Sequence, residues 1–369
     1  MLNVKQLTIW VTLLVGVTFS CTPDDQPGSQ PDNFDRKAML SHWADDFIIP
    51  GYENYHQKLL NLKASAQDFV SSPTVASHTK LYADFTEAYH AWQWVSKFDI
   101  GPAERIGLHH FTNIYPADTT GIENAVQSQN YNLKLPSTFV QQGFPALDYL
   151  LAGKGNAQAT AALFNSNSSY GDYLLNLVTR QQMLTKEVLD EWKNTYRNAF
   201  VENDGSSATA SVNKMANDYV FHHEKELRAG KIGIPAGVFS GSTLPHTIEA
   251  FYSDTLAKSL FLESLEAHRK FFAGEGFEGN PSGNSFKAYL DYLGVQKDGK
   301  NLSDKILDQF EVARISAEGL PDNFADAVTN QRQDMLGTYD ELQKNVVMLK
   351  VDMLQALNVK VDYVDADGD

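Results

Sequence analysis

LYADFTEAYHAWQWV, residues 81–95, places Leu81, Phe85, Ala88, Tyr89, Trp92 and Val95 at intervals of three and four. Residues so spaced share one face of a helix, whereas a half-buried strand would alternate, so the stretch predicts an amphipathic helix with a single apolar stripe. It ends before Gly101-Pro102, a helix-stopping pair. Upstream, residues 35–69 repeat the pattern with Met39, Trp43, Phe47, Leu59, Leu62, Ala66 and Phe69, and Pro50-Gly51 in their midst predicts a kink or a split. Downstream, helical periodicity returns over residues 136–152, 170–200, 212–227, 243–272, 285–293, 302–315 and 331–357, after an irregular stretch with Gly107, Pro116 and Gly121. Alternating Val/Ile/Thr runs are few, so the class is all-α. NDGSSATAS, residues 203–211, clusters turn formers between two periodic stretches and marks the candidate boundary. A chain of 369 residues exceeds what one core usually serves, which predicts two packed bundles of the four-helix type, residues 36–205 and 206–358, then an acidic tail, 359–369. No sequence repeat relates the halves.

The N-terminus has Lys5, an apolar run over residues 7–19, then Ser20 and the sole cysteine, Cys21. The run is shorter than the roughly 20 apolar residues that span a bilayer, and a polar, proline-rich stretch follows at once. A signal peptide over residues 1–20 is expected, with Cys21 as the acylated mature N-terminus. The competing readings are a retained membrane helix and an ordinary signal peptide whose cysteine is incidental. Residues 21–35 are too polar to repay the entropy of ordering them and read as a tether. Asp24 and Asp25 behind the cysteine resemble export signals that carry some lipoproteins to the outer leaflet. Loss of the leader removes Lys5 and takes the formal charge from −16 to −16 − 1 = −17. Nucleic acid is excluded as a partner on that charge. Cations and basic ligands suit it, as does plain solubility.

Ligands on one helix reach a common ion at spacings of three or four, and several pairs meet that condition. Glu87 and His90 do, although no second such pair or facing glutamates complete a di-iron set, and a hydrogen-bonded histidine at the bundle edge is the competing reading. His222-His223-Glu224-x-Glu226 begins like a zinc-peptidase signature, but Leu227 stands where its second histidine belongs. A charged, solvated helix face is the alternative there. His246 and Glu249 also have ligand spacing, and His109-His110 lies in the irregular stretch. Asp362, Asp365, Asp367 and Asp369 begin like a calcium loop that lacks its bidentate glutamate, and a disordered tail is the favoured reading. A phosphate loop, a nucleophile elbow and a Cys-His pair are all missing from the sequence.

Five segments in order, AYHAWQWVSKFDIGPAE (88–104), GFPALDYLLAG (143–153), KIGIPAG (231–237), IEAFYS (248–253) and VDYVDADGD (361–369), make the chain resemble the imelysin-like family, in its Bacteroidetes form. That resemblance implies two helical bundles with a site in the cleft between them, an envelope location, iron-regulated expression and a G-x-H-x-x-E metal motif; some members are classed as metallopeptidases. Here Gly143 matches the glycine, Pro145 stands in place of histidine and Asp148 in place of glutamate. Proline offers a metal no lone pair, and aspartate is one methylene shorter. Pro145 does suit the first turn of a helix.

Three readings stay open. One is an outer-membrane lipoprotein that is non-catalytic or weakly metal-binding (iron or zinc), an accessory to an iron or haem uptake receptor, with Asp148 and Glu249 facing the cleft. Another is a metallopeptidase in which His246 or His90 replaces the lost histidine. The third is a structural interaction module.

Overall fold

The structure, a computed structural model, describes residues 32–363. The expected signal peptide, Cys21, most of the tether and residues 364–369 lie outside the described residues. Residues 35–363 form one compact unit.

Helix α1 (Arg36–His42) begins at Asp35, whose side chain accepts from Ala38 N–H, a standard satisfaction of a free first-turn amide. It runs through a π-helical turn, Trp43–Ile48, into α2 (Ile49–Ser71). The split expected at Pro50 is therefore not found, and helical winding persists from Arg36 to Ser71. Proline removes the N–H that would bond the carbonyl four residues back, that of Asp46. Asn280 Nδ2 reaches this carbonyl at 3.3 Å instead. Helix α3 (Val75–Val95) is closed at its start by a capping box, Thr74 and Ser77 each accepting from the other's backbone amide.

The stretch read as irregular contains three short helices, α4 (Pro102–Ile106), α5 (Leu108–Thr112) and α6 (Thr119–Ser128). The single helix expected over 136–152 is instead a 3-10 turn, Pro136–Gln141, an extended Gln142, then α7 (Gly143–Leu151). After α8 (Ala157–Ser166), α9 (Ser169–Glu191) continues through a π turn, Trp192–Tyr196, into α10 (Arg197–Glu202), as its long periodic stretch implied.

Past a non-helical connection over 203–210, α11 (Ser211–Phe221) passes into twelve residues of π-helix, His222–Gly233. The helix expected over 243–272 is shorter. A 3-10 turn, Pro245–Thr247, leads into an irregular segment, 248–255, before α12 (Leu256–Ala273). Then come α13 (Phe286–Tyr292), a two-residue hairpin of β1 (Gln296–Lys297) and β2 (Lys300–Asn301), α14 (Leu302–Glu318), α15 (Phe324–Asn330), α16 (Arg332–Val347), a π turn and α17 (Leu354–Ala356). Among the described residues no helix is long and apolar enough to cross a membrane.

Helices α2, α3 and α9 pack together, with α7 and α8 against α3 and α9, and the π-helix, α12, α14 and α16 form a second group that meets the first through α3 and α12. The apolar stripes read from sequence are the core: Leu81, Phe85, Ala88, Tyr89, Trp92 and Val95 are all buried. An aromatic seam ties the start of the chain to the second group. Trp43 lies 5.0 Å from Phe271 and 4.7 Å from Phe286, ring to ring, and Phe47 touches Trp94, Phe98, Phe271 and Phe277. The expected acidic tail is docked in its described part: Asn217 donates to Lys360 O and accepts from Asp362 N–H.

Candidate functional site

The residues of the altered motif lie on α7. Gln142 is extended and Gly143 sits at φ 72°, where a Cβ would fall 2.1 Å from Thr112 O, so only glycine fits this turn. Pro145 occupies the first helical turn, whose amides have no intrahelical acceptor, so its missing N–H costs nothing. Phe144 stacks on Tyr89 with centroids 4.2 Å apart and fixes the rotation of the helix. That rotation buries Asp148, 1% exposed, against the irregular segment 248–255. Its Oδ2 accepts from Tyr252 N–H at 2.8 Å and its Oδ1 from the Ser253 hydroxyl. Burial pushes the carboxyl up to about 6 against the pull of those donors, with Asp254 and Glu249 adding repulsion.

Glu249, 2% exposed, lies on the same segment, next to Ala250 at φ 54°. Lys231 Nζ bonds its Oε2, while Asn113 Nδ2 at 2.8 Å and Gln93 Nε2 at 3.2 Å both donate to Oε1. Lys231 also donates to Gln93 Oε1 at 3.0 Å, and Tyr89 OH to Asn113 Oδ1 at 2.6 Å. The group is a closed, buried network linking α3, α5, the π-helix and the segment 248–255. Burial and the Glu249 charge hold the Tyr89 and Tyr115 phenols well above their usual range.

His246, which is exposed, lines a cavity of about 160 Å³ together with Pro145, Asp148, Tyr115 and Tyr252. The structure thus brings Asp148 and His246 to one cavity and engages Glu249 elsewhere. The metal that the motif implies finds a poor donor set here. Both oxygens of each carboxylate already accept hydrogen bonds, Lys231 neutralises Glu249, and proline supplies no donor atom. Among the described residues no group of three or more His, Cys, Asp or Glu could hold a metal ion.

The other sequence candidates disperse. Half-buried His90 bonds Ser259 Oγ at 3.2 Å and faces Glu263 at 3.7 Å, whereas Glu87 is exposed and pairs with Lys58. They form no ligand pair. The solvated face expected at 222–226 is a correction: His222, His223, Glu224, Arg228 and Lys231 are all buried, His223 completely. A π-helix turns more slowly than an α-helix, so residues five apart align and the expected register is lost. Glu224 there collects Lys225 and Lys350 at 2.9 Å each and the Tyr363 hydroxyl at 2.9 Å. Sequence reasoning missed Gln93, Asn113, Lys231 and Ser253; three of these lie inside the quoted segments, but Asn113 carries no local signal.

The family model described as imelysin, peptidase M75, matches residues 48–349. An imelysin-like protein from Psychrobacter arcticum 273-4 shares 17% identity at a TM-score of 0.69, over 89% of this chain and 97% of that one. An iron-regulated protein A precursor from Parabacteroides distasonis ATCC 8503 shares 16% at a TM-score of 0.71, with the same coverage of each chain. Identities this low establish a common fold alone. No curated protein sequence matches. With most of its length matched by the family model, and with an all-α fold shared with two solved relatives, this chain belongs to the imelysin family.

Proposed function

We propose that the protein is a non-catalytic accessory of iron or haem acquisition, held at the outer membrane through Cys21, that binds or hands over its cargo and hydrolyses nothing. The observation that carries the reading is the internal use of both motif-region carboxylates, Asp148 by Tyr252 N–H and Ser253 and Glu249 by Lys231. A metallopeptidase needs an ion with an open position for water and ligands to hold it. A solved relative of the same fold named as an iron-regulated protein A precursor supports the link to iron.

The test is calorimetric titration of the chain from residue 33 with ferrous and zinc ions and with haem, beside an unstructured-peptide cleavage assay. Haem binding or weak metal heats that fall away in Asp148→Ala, without cleavage, are expected. Peptide hydrolysis stopped by a chelator overturns the reading. His246 beside Asp148 favours one second reading, a rearranged metallopeptidase, in which that hydrolysis would also be lost in His246→Ala.

A further inference from the structure

A second cavity, of about 320 Å³, shares no lining residue with the one at Asp148. Its walls come from the end of α3, from α5, from α11 with the start of the π-helix, and from residues 362–363. Among the polar groups of that lining is His222, 5% exposed. A chain of contacts assigns its tautomer. His268 Nδ1 lies 2.8 Å from the Ser264 carbonyl, which can only accept, so Nδ1 carries the hydrogen. Burial holds His268 neutral, well below its usual range, and its Nε2 is therefore a bare acceptor. This Nε2 is 3.2 Å from His222 Nδ1, which must donate. His222 is likewise kept neutral by burial, so its Nε2 is a lone pair, and it has no hydrogen-bond partner among the described residues.

Two carboxyl oxygens share that condition. Asp99 Oδ1 and Asp218 Oδ2 are buried and unpartnered. Lys97 lines the same cavity but gives its hydrogen to Trp94 O at 2.6 Å, lies over the rings of Phe47 and Phe98, and is pushed well below its usual range by burial. The wall thus presents buried acceptor atoms without partners, with the His109 and His110 rings near Asp99. An unmet buried acceptor is destabilising, so a ligand carrying several N–H groups and a positive charge is the complementary species. Phe221 and Tyr363, edge to face at 5.3 Å, add aromatic surface to the lining. The volume is roughly ten times the 30 Å³ share of one water, which suits an organic cation better than a bare ion.

We propose that this cavity binds a small organic cation, its ammonium or guanidinium head seated among Asp99, Asp218 and His222 and its carbon chain against Phe221 and Tyr363. Asp218 supports the assignment. Burial, then the neighbouring Asp99, Glu104 and Asp362, push its carboxyl up to about 9 against Lys214, so it holds a proton near neutral pH, which an incoming cation displaces as it offsets that repulsion.

The experiment is calorimetric titration of the full chain with agmatine, which carries both head groups. One-to-one binding is expected, weakened at least tenfold, about 1.4 kcal/mol, in Asp218→Asn and in Asp99→Asn, and unchanged in Asp308→Asn on the exposed face of α14. His222→Leu removes the bare acceptor and should weaken binding too. Circular dichroism establishes that each variant is folded, and two independent aspartate variants keep the test open if one is not. Absence of agmatine binding up to millimolar concentration, or binding unaltered in both aspartate variants, would overturn the assignment.

Discussion

Replacing Lys231 by methionine isolates the central electrostatic feature of the fold. Methionine keeps most of the length and the apolar stem of lysine, so packing changes little while the ammonium vanishes. Lys231 and Glu249 are 5% and 2% exposed, and Lys231 is the only donor found on Glu249 Oε2 among the described residues. Asn113 and Gln93 both serve Oε1 and cannot compensate. Breaking a buried pair in this way costs about 3–5 kcal/mol, against a total stability of roughly 5–15 kcal/mol for a folded protein.

That penalty has a ceiling, because an abandoned carboxylate can take up a proton. For an ordinary glutamic acid this costs about 3.7 kcal/mol at pH 7, about 5 at pH 8 and only about 1 at pH 5. Lys231→Met should therefore lose roughly 4 kcal/mol in urea unfolding near neutral pH, with the deficit shrinking to about 1 near pH 5. Combining it with Glu249→Gln, which removes the charge, should recover most of the loss and give a coupling of at least about 2 kcal/mol in a double-mutant cycle. A single variant that loses under about 1 kcal/mol, or loses equally at both pH values, refutes the argument.

Two further perturbations test the structure elsewhere. Gly143→Ala puts a Cβ 2.1 Å from Thr112 O at φ 72° and should cost at least about 2 kcal/mol, read from the denaturation midpoint; a near-neutral effect would show that α7 is not seated as described. Asp218→Asn should stabilise the chain. The folded carboxyl, pushed up to about 9, keeps its proton while the unfolded one, near 3.8, releases it, so wild-type stability falls as pH rises between those values. The variant should gain up to about 4 kcal/mol near pH 7 and nothing below pH 4, and a flat difference across that range would count against the buried, repelled carboxyl.

Because apolar periodicity is a local property, LYADFTEAYHAWQWV alone determined a buried α3, and its counterparts determined an all-α chain. Gly143, Pro145 and Asp148 were equally legible, as the change from histidine to proline removes a metal donor whatever surrounds it. Helix ends were less so, because Pro50 reads as a break until Asn280, 230 residues on, supplies the donor for Asp46 O. The buried charges were not legible at all. His222-His223-Glu224 reads as a solvated face in α-helical register, and only the tertiary fold, by winding that stretch as a π-helix, turned it inward. Glu249 likewise finds its partners 18, 136 and 156 residues away. Burial of a charge depends on what arrives from across the fold, and no local spacing encodes which donor that is.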